Sequence, residues 1–146
     1  MSTKTLYIII FTIFASTSVA QNRMLKKFPE GYTPEEVGIK VANRFLSGKH
    51  MLHGGKWIHY AEVCTWYGAV RFASESKNKE LSRQLQERFD YLCTAERDLL
   101  PIKNHVDLNM IGCLPLELYQ ITKKIQYLDL GISYADTQWE LPAEAS

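Results

Sequence analysis

The sequence is poor in the features that mark a chemical specialist. Its 146 residues include three cysteines, Cys64, Cys93 and Cys113, with no Cys-x-x-Cys pair. An odd, widely spaced set excludes a disulfide framework. Each cysteine falls in an apolar helical pattern, where a small buried hydrophobe is expected. One disulfide among them fits an exported protein, and the spacing does not choose the pair. No sign of charge dominates: seventeen Lys and Arg stand against sixteen Asp and Glu. That balance gives no pull toward nucleic acid or an acidic membrane. There is no Gly-x-Ser-x-Gly elbow, no P-loop and no Gly-x-Gly-x-x-Gly turn. Serine-hydrolase, nucleotide and dinucleotide readings therefore lack support. The histidines form no metal motif. His50 and His53 share a glycine-containing loop without a third ligand, and His59 and His105 read as ordinary helix-start and loop residues, so neither metal nor cofactor is expected.

What is present begins with an export signal. Lys4 is a short basic region, Leu6 to Ala15 is an apolar run, and Ser18-Val19-Ala20 offers small residues for cleavage before Gln21. The run is too short to span a bilayer comfortably. Residues 1–20 therefore read as a signal peptide, and residues 21–146 as a neutral mature chain with no further membrane contact.

Helical patterns fill the remainder. Thr33-Pro34-Glu35-Glu36 is a capping box with proline at the first helical position. It opens a helix with Val37, Val41 and Phe45 on one face. His50 to Lys56 reads as loop, broken by Gly54-Gly55. A second helix runs from about His59 to Ser74, striped by Tyr60, Val63, Tyr67 and Val70. Asn78 caps a third, reaching about Arg97, with Leu81, Leu85, Phe89 and Leu92 inside and Glu80, Arg83, Glu87 and Asp90 outside. Asp107 opens a fourth that reaches about Thr122, where Pro115 must kink the helix or mark the start of its regular part. A fifth covers about Gln126 to Gln138, with Leu128, Ile132, Ala135 and Trp139 on one face. No segment alternates as a strand does. The expected architecture is all-α, a series of antiparallel helical hairpins.

Two stretches could carry chemistry. Trp57, Tyr60, Trp66 and Tyr67 cluster, and sugar rings stack well on aromatic faces; helical spacing equally places such residues in a core. In Asn104-His105-Val106-Asp107, an amide, an imidazole and a carboxylate converge at a loop-to-helix junction. The plain role for Asp107 there is helix N-cap.

These blocks resemble a known family. The run Trp57 to Ala69, Asn104-His105-Val106-Asp107 followed by Pro115-Leu116-Glu117-Leu118-Tyr119, and Tyr134-Ala135-Asp136-Thr137-Gln138-Trp139-Glu140 look like successive blocks of glycoside hydrolase family 105, the unsaturated glucuronyl and rhamnogalacturonyl hydrolases. The resemblance covers nearly all of the mature chain. It implies an (α/α)6 toroid of helical hairpins and a substrate ending in a 4,5-unsaturated uronic acid, the product of a pectin lyase. Hydration of the double bond gives a hemiketal that opens and expels the neighbouring sugar. The family uses an aspartate pair, of which Asp107 matches the first. Trp66, Tyr67, Asn104 and His105 are the implied substrate contacts.

The sequence departs from the family in one respect. The second aspartate belongs to a tryptophan-containing Asp-Asp block, and nothing of that kind follows Trp139. A toroid of such helices needs roughly 200 residues, so about five helices form only part of the ring, and this polypeptide alone is expected to be inactive. Two other readings remain: a non-catalytic helical module that binds glycans or peptides, and a different α/α-toroid enzyme of mannosidase-like or lyase-like type.

Overall fold

A computed structural model describes residues 27–103 and 105–138. The expected signal peptide, Asn104, and the segment from Trp139 onward lie outside the described residues. The chain divides into two units, Met1–Val37 and Gly38–Ser146. In the described part of the first, the predicted capping box is present. Thr33 Oγ1 accepts from the Glu36 N–H at 3.2 Å, and Glu36 Oε2 accepts from the Thr33 N–H at 3.0 Å. These bonds satisfy backbone groups that the first helical turn leaves unpaired and open helix α1 (Pro34–Leu46).

The second unit is mostly helical. After α1 come two very short strands, β1 (Leu52–His53) and β2 (Trp57–Ile58), paired antiparallel with Leu52 opposite Ile58. Gly54 and Gly55 turn the chain between them at φ 56° and 73°, a left-handed backbone open to residues without Cβ. This hairpin corrects the expected plain loop. Strands of two residues are too short to display an alternating pattern. Helix α2 (Tyr60–Glu75) follows, then α3 (Lys79–Thr94) with Asn78 Oδ1 accepting from the Leu81 N–H at 3.0 Å. A 3-10 turn (Arg97–Leu99), the four-residue helix α4 (Val106–Asn109), a second 3-10 turn (Met110–Gly112), α5 (Cys113–Thr122) and α6 (Ile125–Asp136) complete the order. Pro115 sits in the first turn of α5. It marks the start of the regular helix, because N–H groups there have no intrahelical acceptor.

The connections between α2 and α3 and between α5 and α6 are two or three residues long, which returns each pair as a helical hairpin. The hairpins join through α2 against α5. Between them lies the core: Trp66, Leu85, Phe89, Leu92, Ile111 and Leu114 are essentially sealed from solvent. The α3 stripe is as predicted. Three other faces are not. In α1 only Ala42 is buried, while Val37 and Val41 are exposed. In α2 the inward residues are Val63, Trp66, Ala69, Val70 and Ala73, with Tyr60 and Tyr67 outside. In α6 the inward face is Tyr127, Gly131 and Tyr134, one residue back from the predicted stripe. The rotation has a polar cause: Tyr127 and Tyr134 find acceptors for their hydroxyls, at Asp90 Oδ1 (2.5 Å) and the Pro101 carbonyl (2.8 Å), so both rings can be buried. Asp90, expected outside, thereby faces α6.

Two glycines set the approach of the second turn to α6. A Cβ on Gly112 would lie 2.7 Å from Tyr134 Cβ and 3.3 Å from the Gly131 carbonyl oxygen. Overpacking of this kind costs about 1–3 kcal/mol. Gly112→Ala is expected to lower unfolding stability by about that amount in urea titration, while Gly68→Ala, which meets nothing within 4 Å, should be neutral or mildly stabilising. Equal effects at the two positions would reject the close-contact explanation.

Candidate functional site

The Asp107 region is the site expected from sequence. The backbone enters α4 in extended conformation at His105, and it is His105 Nδ1 that accepts the Asp107 N–H at 3.2 Å. His105 is therefore the N-cap, and Asp107 lies within the first turn, which corrects the expected capping role. Its carboxylate is 61% exposed and its ion-pair contact is His105 Nδ1 at 3.9 Å. The next residues are more constrained. Asn109 is buried, with Nδ2 donating to Thr137 Oγ1 at 3.3 Å and Oδ1 without a partner among the described residues.

α2 carries a row of exposed residues, Tyr60, Cys64, Tyr67, Gly68 and Arg71, of which Cys64 approaches this junction. Cys64 Sγ is 4.0 Å from Met110 Sδ, in the turn that follows α4. The aromatic cluster is thus split. Tyr67 is on the open face. Trp66 is fully buried, donates Nε1–H to the Leu85 carbonyl at 3.3 Å and packs edge-on to Phe89. Its role in this arrangement is packing, in contrast to the substrate contact expected from the resemblance. Cys64 and Cys113 are exposed and Cys93 is half-buried, all three as free thiols, so the expectation of buried cysteines fails for two of them. Burial, and then the Asp90 charge, push the Cys93 thiol up to about 11, which keeps it protonated and unreactive.

A second constellation went unrecognised in the sequence. His50, in the loop between α1 and β1, lies between two carboxylates. Its Nδ1 is 2.5 Å from Glu62 Oε1 on α2, and its Nε2 is 3.0 Å from Glu96 Oε2 just before the first 3-10 turn. Glu62 is only 4% exposed. It also accepts the Met51 N–H and Arg88 Nη2–H, the latter at 3.3 Å. Arg88 donates from Nη1 to the carbonyls of Leu46 and Gly48, both at 3.1 Å, and so caps the C-terminal end of α1. Its guanidinium stacks over Phe45 and Trp66, and the His50 ring stacks on Trp66. An adjoining cavity of about 500 Å³ is lined by Lys49, His50, Arg88, Tyr91, Glu96 and Leu99.

The electrostatics of Glu62 follow from this shell. Burial alone would raise its carboxyl. The His50 hydrogen bond, the Met51 N–H and the charges of His50 and Arg88 outweigh burial and hold it below the ordinary carboxylate value. A carboxyl with a lowered value in the folded chain contributes stability that is full above its unfolded value, about 4.3, and fades as pH falls through the folded value. The stability advantage of the native chain over Glu62→Gln is therefore expected to be greatest near neutral pH and to shrink on acidification below about pH 4. Urea unfolding at stepped pH would show this, and a pH-independent difference would contradict it.

Among the described residues, no group of three or more His, Cys, Asp or Glu side chains is arranged to hold a metal ion, and no helix is long and apolar enough to cross a membrane. No protein-family model matches the chain, and no curated protein or solved structure matches it either.

Proposed function

We propose that this chain forms part of an exported α/α-toroid hydrolase acting on 4,5-unsaturated uronic acids at the non-reducing end of pectin-derived oligosaccharides, with Asp107 supplying one carboxylate of the reacting pair. The reading rests on the ordered sequence blocks that resemble family 105. The observation that carries it to Asp107 is the release of that residue from capping. With His105 in the cap position, the Asp107 carboxylate is largely exposed and, among the described residues, is not engaged in capping the helix.

In the proposed reaction a proton goes to C4 of the enol ether and water adds to C5. One carboxyl must deliver the proton to carbon, and a second must activate the water and stabilise the developing cation. The hemiketal so formed opens to a ketone, and the C–O bond to the neighbouring sugar breaks. Neither metal nor redox cofactor enters this balance. Exposed Tyr67, with His105 and Asn104 beside Asp107 in sequence, would contact the sugar; Trp66 would support that wall from behind.

The test uses a polypeptide in which this chain runs on into a segment bearing the second aspartate. It is incubated with unsaturated rhamnogalacturonan disaccharide, unsaturated digalacturonate and an unsaturated glucuronide. Falling ultraviolet absorbance of the double bond is the expected result, with one substrate preferred. Binding of all three without turnover would replace the hydrolase with a non-catalytic glycan-binding module. Neither binding nor turnover would reject both.

A further inference from the structure

We infer that His50 is a proton-operated clasp that ties the first 3-10 turn to the body of the second unit and releases it when the ring loses a proton. Two carboxylates flank the ring, Glu62 at Nδ1 and Glu96 at Nε2. An ionised carboxylate only accepts, so both contacts are hydrogen bonds only if both ring nitrogens donate, which is the imidazolium form. Arg88 Nη2 also lies 3.2 Å from Nδ1, but it brings its own hydrogens and cannot supply an acceptor. The 2.5 Å contact to Glu62 is far the shorter, so the Nδ1 hydrogen belongs to Glu62 and Arg88 Nη2 donates to that same carboxylate.

The charges facing the ring come from every packed element: Glu62 on α2, Arg88 on α3, Glu96 at the turn, and Lys49 in its own loop, with Tyr91 at the cavity wall. Two carboxylates, one guanidinium and one imidazolium form a closed set. Removal of one ring proton leaves a single N–H. That hydrogen stays on Nδ1, where Glu62 is buried and held by Met51 and Arg88 as well. Nε2 then presents a lone pair to the Glu96 carboxylate, and the attraction becomes repulsion. Glu96 is the partner able to leave, since its side chain is 33% exposed. It also carries the turn: its carbonyl accepts the Leu99 N–H at 2.9 Å, and the Leu100 N–H is bonded to the Arg97 carbonyl at 3.1 Å. The moving part is therefore the segment Glu96–Leu100, and its departure widens the cavity beside Arg88.

Nitrogen chemical shifts of the His50 ring and amide exchange at Leu99 and Leu100 test the clasp in the full chain. At the acidic end of the imidazole titration both ring nitrogens should carry hydrogen. At the alkaline end Nε2 should not, and exchange at Leu99 and Leu100 should exceed that in Glu96→Gln at the same pH by about tenfold, the scale of one charge-assisted hydrogen bond. Glu96→Gln keeps a side chain that either accepts from or donates to Nε2, so it should abolish the excess while preserving the fold. His50→Gln should show fast exchange at both ends with no step. A single ring hydrogen at the acidic end, an equal exchange rate in the native chain and Glu96→Gln at every pH, or an undiminished step in Glu96→Gln would overturn the proposal.

Discussion

Asp107→Asn should slow loss of the substrate double bond by about 10²–10⁴-fold, the range associated with a positioned acid or base, in a polypeptide that also contains the second aspartate. The amide keeps the size and nearly the shape of the carboxyl but can neither take up nor deliver a proton at neutral pH. Two structural observations make the variant informative. The side chain is exposed, so the substitution buries no unpaired group, and the cap of α4 is His105, so the helix start survives. A fall in kcat with an unchanged unfolding midpoint would assign the loss to chemistry. His105→Ala provides the contrast: it removes the cap, costs about 0.5–2 kcal/mol of stability, and should reduce rate both through the position of α4 and through the lost sugar contact, so its loss comes with a lowered unfolding midpoint. Undiminished turnover in Asp107→Asn would remove this residue from the mechanism.

Arg88→Met is expected to destabilise the second unit by about 3–5 kcal/mol in denaturant unfolding, the usual cost of removing one member of a buried ion pair. Methionine preserves much of the stem that packs on Phe45 and Trp66 but removes every donor. The carbonyls of Leu46 and Gly48 lose their cap together, and Glu62 keeps its burial with one counter-charge fewer. Arg83 on the same helix is the control. It makes shorter bonds, 2.6 Å to Glu80 and 2.5 Å to Glu87, yet all three side chains are more than half exposed. Water competes for exposed pairs and screens them, so they contribute little. Arg83→Met should therefore shift the midpoint little, despite the better distances. A ranking in which Arg83 matters more than Arg88 would show that burial does not govern these contacts.

The parts legible in the sequence were those in which the determining partners are near neighbours. Thr33 with Glu36, Asn78 with the Leu81 N–H, and the α3 stripe are set by groups three or four residues apart, and each appears where expected. The hairpin arrangement followed from short connections. The missed features have distant causes. Nothing within α6 says that Tyr127 will face inward, because its hydroxyl acceptor is Asp90 on another helix. His50 read as an ordinary loop residue because its partners lie 12 and 46 positions away. The cap at α4 was misassigned to Asp107 for a different reason: His105 two residues earlier can also accept an N–H two residues on, and the extended backbone at His105 makes it the cap. Val37 and Val41 look like a core face by spacing alone, but spacing records only that a face exists, not that an element covers it.

The reciprocal contact of Gly112 and Gly131 has an asymmetric genetic meaning. A methyl at position 131 would meet chiefly the Leu116 side chain, at 2.5 Å from Cγ, whereas one at position 112 would meet Cβ of Tyr134 at 2.7 Å. The first conflict can be relieved elsewhere, by shortening Leu116. The second persists with any residue at 134 except glycine, since all others possess that carbon. Drift at position 131 thus has an escape route through a compensating change in one side chain, while at position 112 relief requires glycine at 134 or movement of α6 as a body.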